Sequence, residues 1–486
     1  MKKALICLIF LLIPIYKTYS QPKFEVRAAW ITTAYGLDWP RTRATTPEKM
    51  RKQQTELLLL LDKLKAANFN TVLFQVRSRG DVFYKSKIEP FCEVLTDKVN
   101  GDPGYDPLEF VINECHKRGM ECHAWIVALP LGSKGHVAHL GKYNALHHTH
   151  GICVPYKSEY YLNAGNPGTK DYLMDIVREI TDHYDIDGLV FDYLRYPEYC
   201  GTSYPDKAEF AKYGNGRSLT EWRRDNITDI IRYIYQNVKS VKPWVKVCTC
   251  PVGKYRDTSR YTSHGFNAFY AVNQDPEKWM QEGIQDQIYP MMYFRENNFY
   301  PFALDWSEQS NGRHVIPALG TYFLNPKDGN WNKEDIIREI NFIREHKLAG
   351  ESHFRAEFLA KDTKDIYSEL VERFYQYPAL QPPMHWLDSI APSAPYNLSV
   401  KREENHVTLS WNASRDNDRI NALTYVVYGS DTYPVDITRP ENIIAQGVQG
   451  TSYVFAPIYP WKSLTYFAVT AIDRYGNESK AVQKER

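Results

Sequence analysis

From about residue 24 to residue 375, short apolar runs alternate with longer segments whose apolar residues recur every three or four positions. The short runs predict strands at 26–32, 70–76, 120–129, 188–191, 245–251, 285–293, 315–322 and 349–354. The run at 188–191 is apolar at successive positions, the pattern of a strand buried on both faces. Between them, Met50, Leu57, Leu58, Leu61 and Leu64 fall on one helical face, with Thr46 as cap and Pro47 at the first position. Further helices are predicted at 106–119, 169–184, 219–239, 276–282, 331–346 and 363–374, and a long loop holds His136, His139, His147, His148 and His150. Eight strands, seven of them followed by a predicted helix, without a glycine-rich nucleotide turn predict a closed (β/α)8 TIM barrel, class α/β, over residues 21–377.

The period then changes. Residues 378–395 carry Pro378, Pro382, Pro383, Pro392 and Pro395 and are predicted as a linker. Beyond it, 407–411, 424–428 and 466–472 alternate apolar and polar, which predicts an all-β sandwich over 396–486.

A parallel barrel presents its chemistry at the C-terminal ends of its strands. The fourth predicted strand ends in Asp192, Tyr193, Arg195 and Tyr196 before Pro197. Asp185 and Asp187 precede the apolar run and are expected at the opposite end, in turn and stability roles. The same rule collects Asp38 and Trp39, then Arg77, Arg79 and Asp81, His123 and Trp125, Tyr289, Tyr293, Arg295 and Glu296, and Arg355 and Glu357. The duller alternative for Asp192 and Arg195 is a buried pair that ties down a loop. Carboxylates among aromatic walls suit glycoside hydrolysis, which needs an acid near the leaving oxygen and a base or nucleophile near the anomeric carbon.

Composition narrows the partners. Aromatics make up 14% of the chain, with 36 Tyr and 11 Trp, enough to supply sugar platforms beyond those the core uses. A formal charge of +1 argues against nucleic acid. No zinc-type spacing or phosphate-cradling loop is present, so no metal and no cofactor is expected, and the histidines read as polar loop residues. Residues 1–20 have the lysines, apolar stretch and small-residue end of a signal peptide, with no later transmembrane segment, which predicts an exported protein, periplasmic or extracellular. Outside that leader the cysteines number seven and are scattered, unlike a disulfide scaffold.

Two resemblances follow. Pro395–Val400, Leu409–Trp411, Leu464–Tyr466 and Asp473–Ser479 resemble a fibronectin type III domain. Glu25–Trp30 with Leu37–Pro40, Asn70–Arg77 with Gly80–Tyr84, Pro103–Leu108, His116–Trp125, Asp187–Pro197, Trp222–Asn226 and Ile288–Tyr293 resemble the glycosyl-hydrolase-like 10 family of secreted bacterial barrel proteins. The second resemblance implies a hydrolase, and a characterised branch of that family cleaves peptidoglycan glycan strands stripped of their peptides. Many members carry two adjacent aspartates where this chain has Asp192-Tyr193, so only Asp192 carries over. Asp192 is then expected as nucleophile or base, with Asp81 or Glu357 as the acid and Glu296 behind them. Arg77, His123, Arg195 and Tyr293 are expected to orient the substrate, an oligo- or polysaccharide, with Tyr289 beside them and Trp39 and Trp125 as sugar platforms. A carboxyl separation of about 5 Å would give retention and about 6.5–9.5 Å inversion. Hydrolysis of a dietary or host glycan, and a non-catalytic glycan-binding or scaffold protein, are the competing readings.

Overall fold

The computed structural model describes residues 21–149, 151–261, 265–416, 422–456 and 464–485. The expected signal peptide and His150 lie outside the described residues. Strands β1 (Val26–Ile31), β2 (Thr71–Arg77) and β3 (Glu121–Val127) open a parallel sheet. The chain then makes an antiparallel excursion of β4 (Pro130–Ser133), β5 (Cys153–Tyr156) and β6 (Glu159–Leu162). It returns to the parallel sheet with β7 (Gly188–Asp192) and β8 (Lys246–Thr249), then β9 (Gln287–Ile288), β10 (Met291–Met292), β11 (His314–Val315), β12 (Ala318–Leu319) and β13 (Gly350–His353).

The ten parallel strands run in the order β10-β12-β13-β1-β2-β3-β7-β8-β9-β11. Only Tyr289 and Pro290 separate β9 from β10, and only Ile316 and Pro317 separate β11 from β12. The two ends of the sheet are therefore continuations of one another, and the sheet curls round on itself. Each predicted strand at 285–293 and 315–322 is split at its proline, which has no N–H for the ladder.

Alternation within the strands divides the core in two. Ala28, Trp30, Leu73, Trp125, Val190, Cys248 and Tyr289 face inward, while Ala29, Val72, Phe74, Ala124, Leu189 and Val247 pack against the surrounding helices. Both faces are apolar because both are covered. Thr46 caps the first helix, Pro47–Ala66, by accepting from the Lys49 N–H, and Asp106 caps Pro107–Lys117. Ser218 and Glu221 form a capping box on Leu219–Val241. The predicted final helix at 363–374 is instead irregular, broken by left-handed Asp362, Lys364 and Asp365.

The C-terminal part has β14 (Tyr396–Arg402), β15 (Val407–Asn412), β16 (Thr424–Ser430), β17 (Ile443–Val448), β18 (Ser452–Phe455), β19 (Tyr466–Ile472) and β20 (Val482–Gln483). They form sheets in the orders β14-β15-β18 and β17-β16-β19-β20. Leu409 and Trp411 of the first meet Val427, Phe467 and Val469 of the second. The proline-rich connection is built in rather than free. Leu380 exchanges backbone hydrogen bonds with Lys23 and Glu25 and packs on Val426 and Tyr428. Trp386 donates to Asp286 at 3.0 Å and stacks edge-on against His314.

Candidate functional site

Gly188, Val190 and Asp192 share the inward face of β7 at successive levels, since side chains two apart point the same way. Register with β3 sets their height: His123 pairs with Gly188, Trp125 with Val190 and Val127 with Asp192. Asp192 therefore stands at the C-terminal rim of the sheet, only 6% exposed. Its Oδ1 accepts from the Tyr193 N–H at 2.7 Å and its Oδ2 from the Trp125 indole N–H at 3.3 Å. Tyr193 has φ 50°, which turns the chain sharply just after the carboxylate. The Cys250 thiol also contacts Asp192. Burial raises the carboxyl pKa above the usual aspartate value, opposed by the Arg195 guanidinium and by these hydrogen bonds. A carboxyl held in this way can keep a proton at higher pH than an exposed aspartate and still release it.

Around the rim, Tyr293 packs against Tyr322 and Phe354 with centroids 5.6 and 5.4 Å apart. Trp30 supports Trp125 edge-on at 4.9 Å. The excursion β4–β6 meets this rim directly, because the Ala128 N–H just before β4 donates to the Asp192 carbonyl at 2.7 Å. Its hairpin builds a recess of about 250 Å³ between Lys157, Glu159 and Tyr161 on one side and Tyr193, Arg195 and Glu198 on the other.

Several residues expected at the mouth lie elsewhere. His123 is at the opposite end of the sheet, where its Nε2 meets Glu121 at 2.9 Å and Glu121 pairs with Lys246. Arg77 is fully buried, forks onto Glu89 at 2.6 and 2.7 Å and donates to the Val127 and Ala128 carbonyls, so it pins the loop after β2. Trp39 is 1% exposed in the outer core against Phe74 and Phe83, with its indole N–H on the Gln53 carbonyl, and offers no free face to a sugar. Trp125 is buried too and serves Asp192 through its N–H. Tyr289 lies in the interior with its hydroxyl on Gln287.

Two of the expected partner carboxylates, Asp81 and Glu357, are also engaged. Asp81 is buried, accepts from the Arg79 N–H at 3.3 Å and faces His136 at 3.8 Å. Glu357 pairs with Arg355, Lys361 and Arg41; burial raises its pKa, but Lys361 and Arg355 outweigh that and hold it below the usual glutamate value. Glu296 is exposed at the start of a 3-10 turn, with φ 53°. Asp38, next to Trp39, accepts from Arg355 and from the Thr32 and Glu357 N–H groups. Glu159 and Tyr161 were not anticipated. The signal was the alternation in Glu159-Tyr160-Tyr161-Leu162 after the Lys157-Ser158 turn, inside a stretch read as loop. Asp185 and Asp187 do lie at the far end, where Asp187 meets His116 at 2.8 Å and Asp185 meets Arg474 at 2.8 Å. All seven cysteines outside the leader are free.

A parallel sheet thus curls round a buried carboxyl at its C-terminal rim, and residues 25–324 match the family described as Glycosyl hydrolase-like 10. The chain belongs to that family. It is 30% identical to Glycosyl hydrolase YngK of Bacillus subtilis (strain 168), over 96% of this chain and 94% of that protein. It is also 30% identical to Glycosyl hydrolase DigH of Escherichia coli (strain K12), over 57% of this chain and 67% of that one. The PgaB (BpsB) glycoside hydrolase domain from Bordetella bronchiseptica shares the fold, with a TM-score of 0.50 at 14% identity, over 73% of this chain and 99% of that one.

Proposed function

We propose that the protein is an exported glycoside hydrolase whose substrate is the glycan strand of peptidoglycan after its peptides have been removed. The observation that carries this reading is Asp192, a carboxyl at the C-terminal rim, oriented by Trp125 and the Tyr193 N–H, with a pKa raised by burial. Family membership and the relatives' names support the reaction class. The denuded strand comes from the characterised branch of the family that the sequence resembles, and export from the character of residues 1–20.

Asp192 is proposed as the group that exchanges a proton with, or attacks, the glycosidic centre. With Asp81 and Glu357 held in other networks, its partner is sought in Glu159 of the hairpin or in Glu296. The parallel sheet with its helices is proposed as a (β/α)8 barrel spanning 21–377, joined through 378–395 to a fibronectin type III domain. The two-sheet arrangement of three and four strands supports that assignment.

Digestion of purified denuded strands beside a polysaccharide panel, with products identified by mass spectrometry, tests the reading. New reducing ends from the denuded strands, lost in Asp192→Asn, are expected. Cleavage of another glycan alone reassigns the substrate, and binding without any cleavage sinks the hydrolase reading.

A further inference from the structure

We propose that the recess beside Asp192 is a subsite for a sugar bearing a free carboxylate, with Arg195 as the residue that recognises it. The inference rests on the glycoside hydrolase reading and narrows its substrate.

Arg195 follows Asp192 by three residues and lies over the Tyr193 ring, 4.6 Å from its centroid. Its Nη1 is buried and has no hydrogen-bond partner among the described residues. A guanidinium is always charged and carries only donors, so a buried N–H left unmatched is costly until an acceptor arrives. The recess that this side chain lines, about 250 Å³, has room for a single sugar unit and its substituent. Lys157, across the recess, adds a second cation. Of the two acids there, Glu159 accepts from the Tyr161 hydroxyl at 2.5 Å, and Glu198 is exposed at the edge. The net charge of the recess is therefore balanced, and selectivity comes from the directed donor rather than from a diffuse field.

A hydroxyl would satisfy one N–H. A carboxylate matches the planar fork with two parallel bonds and brings the opposite charge. N-acetylmuramic acid displays such a carboxylate on its lactyl group when no peptide is attached, and an uncharged amide at the same place when one is. Arg195 would then distinguish a stripped strand from a peptide-bearing one by charge, next to the reacting carboxyl.

The test uses the full chain and strands of alternating N-acetylglucosamine and N-acetylmuramic acid, beside the same strands with their carboxylates converted to methyl amides. Rates come from new reducing ends, and binding from calorimetry on the Asp192→Asn protein. The free-carboxylate strands are expected to be preferred by about tenfold or more, since charge-assisted bonds exceed neutral ones by that order. Arg195→Gln, made alone for rates and together with Asp192→Asn for binding, should bring the preference close to one, and Arg195→Lys should keep part of it. Equal rates and equal binding for the two strands, binding of neither, or a preference that survives Arg195→Gln overturns the subsite. Preferential binding without cleavage keeps the subsite and overturns the hydrolase reading. Cleavage without preference does the reverse.

Discussion

At the scale of single residues, the account turns on how Asp192 is held. The Trp125 N–H favours the ionised carboxylate, and burial favours the protonated form. Trp125→Phe removes the first influence and keeps most of the ring. The carboxyl pKa should then rise further, and the limb of the pH–rate profile that reports it should move to higher pH. An unmoved limb would show that the profile reports another group. The sequence made Asp192 legible because an apolar run of known parity ended on it. It did not make His123 or Arg77 legible as structural residues. His123 is the third residue of β3 and so belongs to the far end, and only the register with Gly188 reveals that. Arg77 sits past a register shift between Gln75 and Arg77, where strand parity no longer predicts direction. Trp39 follows β1 in sequence, yet the chain has already turned into the outer core.

At the scale of elements, strand order and helix positions were largely visible in periodicity and caps, and the misses have local causes. Pro290 and Pro317 interrupt their ladders without ending the strands' course, so two predicted strands became four short ones. The β5–β6 hairpin follows the histidine-rich loop, and its alternation is brief. Packing between β3 and β7 also sets a strict size limit. A Cβ on Gly188 would lie 2.7 Å from Nδ1 of the His123 ring, inside a fully buried layer. Gly188→Ala should destabilise the protein by about 1–3 kcal/mol through overpacking. Calorimetry should record a melting temperature lower by several degrees, and an unchanged one would mean that His123 has room to move.

At the scale of the whole molecule, the C-terminal sheets close the end of the parallel sheet opposite Asp192. His116 lies at that junction, facing Asp187 at 2.8 Å and Asp185 at 4.0 Å, with Arg474 of the C-terminal part on Asp185. Burial lowers the His116 pKa, but its hydrogen bond and charge pairing with Asp187, aided by Asp185, outweigh that and leave it raised, with Arg474 opposing. A raised histidine pKa contributes stability that is fully present below the unfolded value of about 6.5 and is lost as pH rises through the folded value. Melting temperatures of the wild type and His116→Gln should therefore differ most in mild acid and converge toward alkaline pH. A gap that stays constant with pH would remove His116 protonation from the account.

The central claim, that Asp192 performs the chemistry at the rim of the parallel sheet, is tested most directly by kcat/KM of Asp192→Asn on denuded glycan strands. Its folding and strand binding are to be measured on the same preparation. Removing a positioned acid–base group costs about 10²–10⁴ in rate, so a loss of that order with binding and melting temperature retained is the predicted result. A kcat/KM within twofold of the wild type would contradict it.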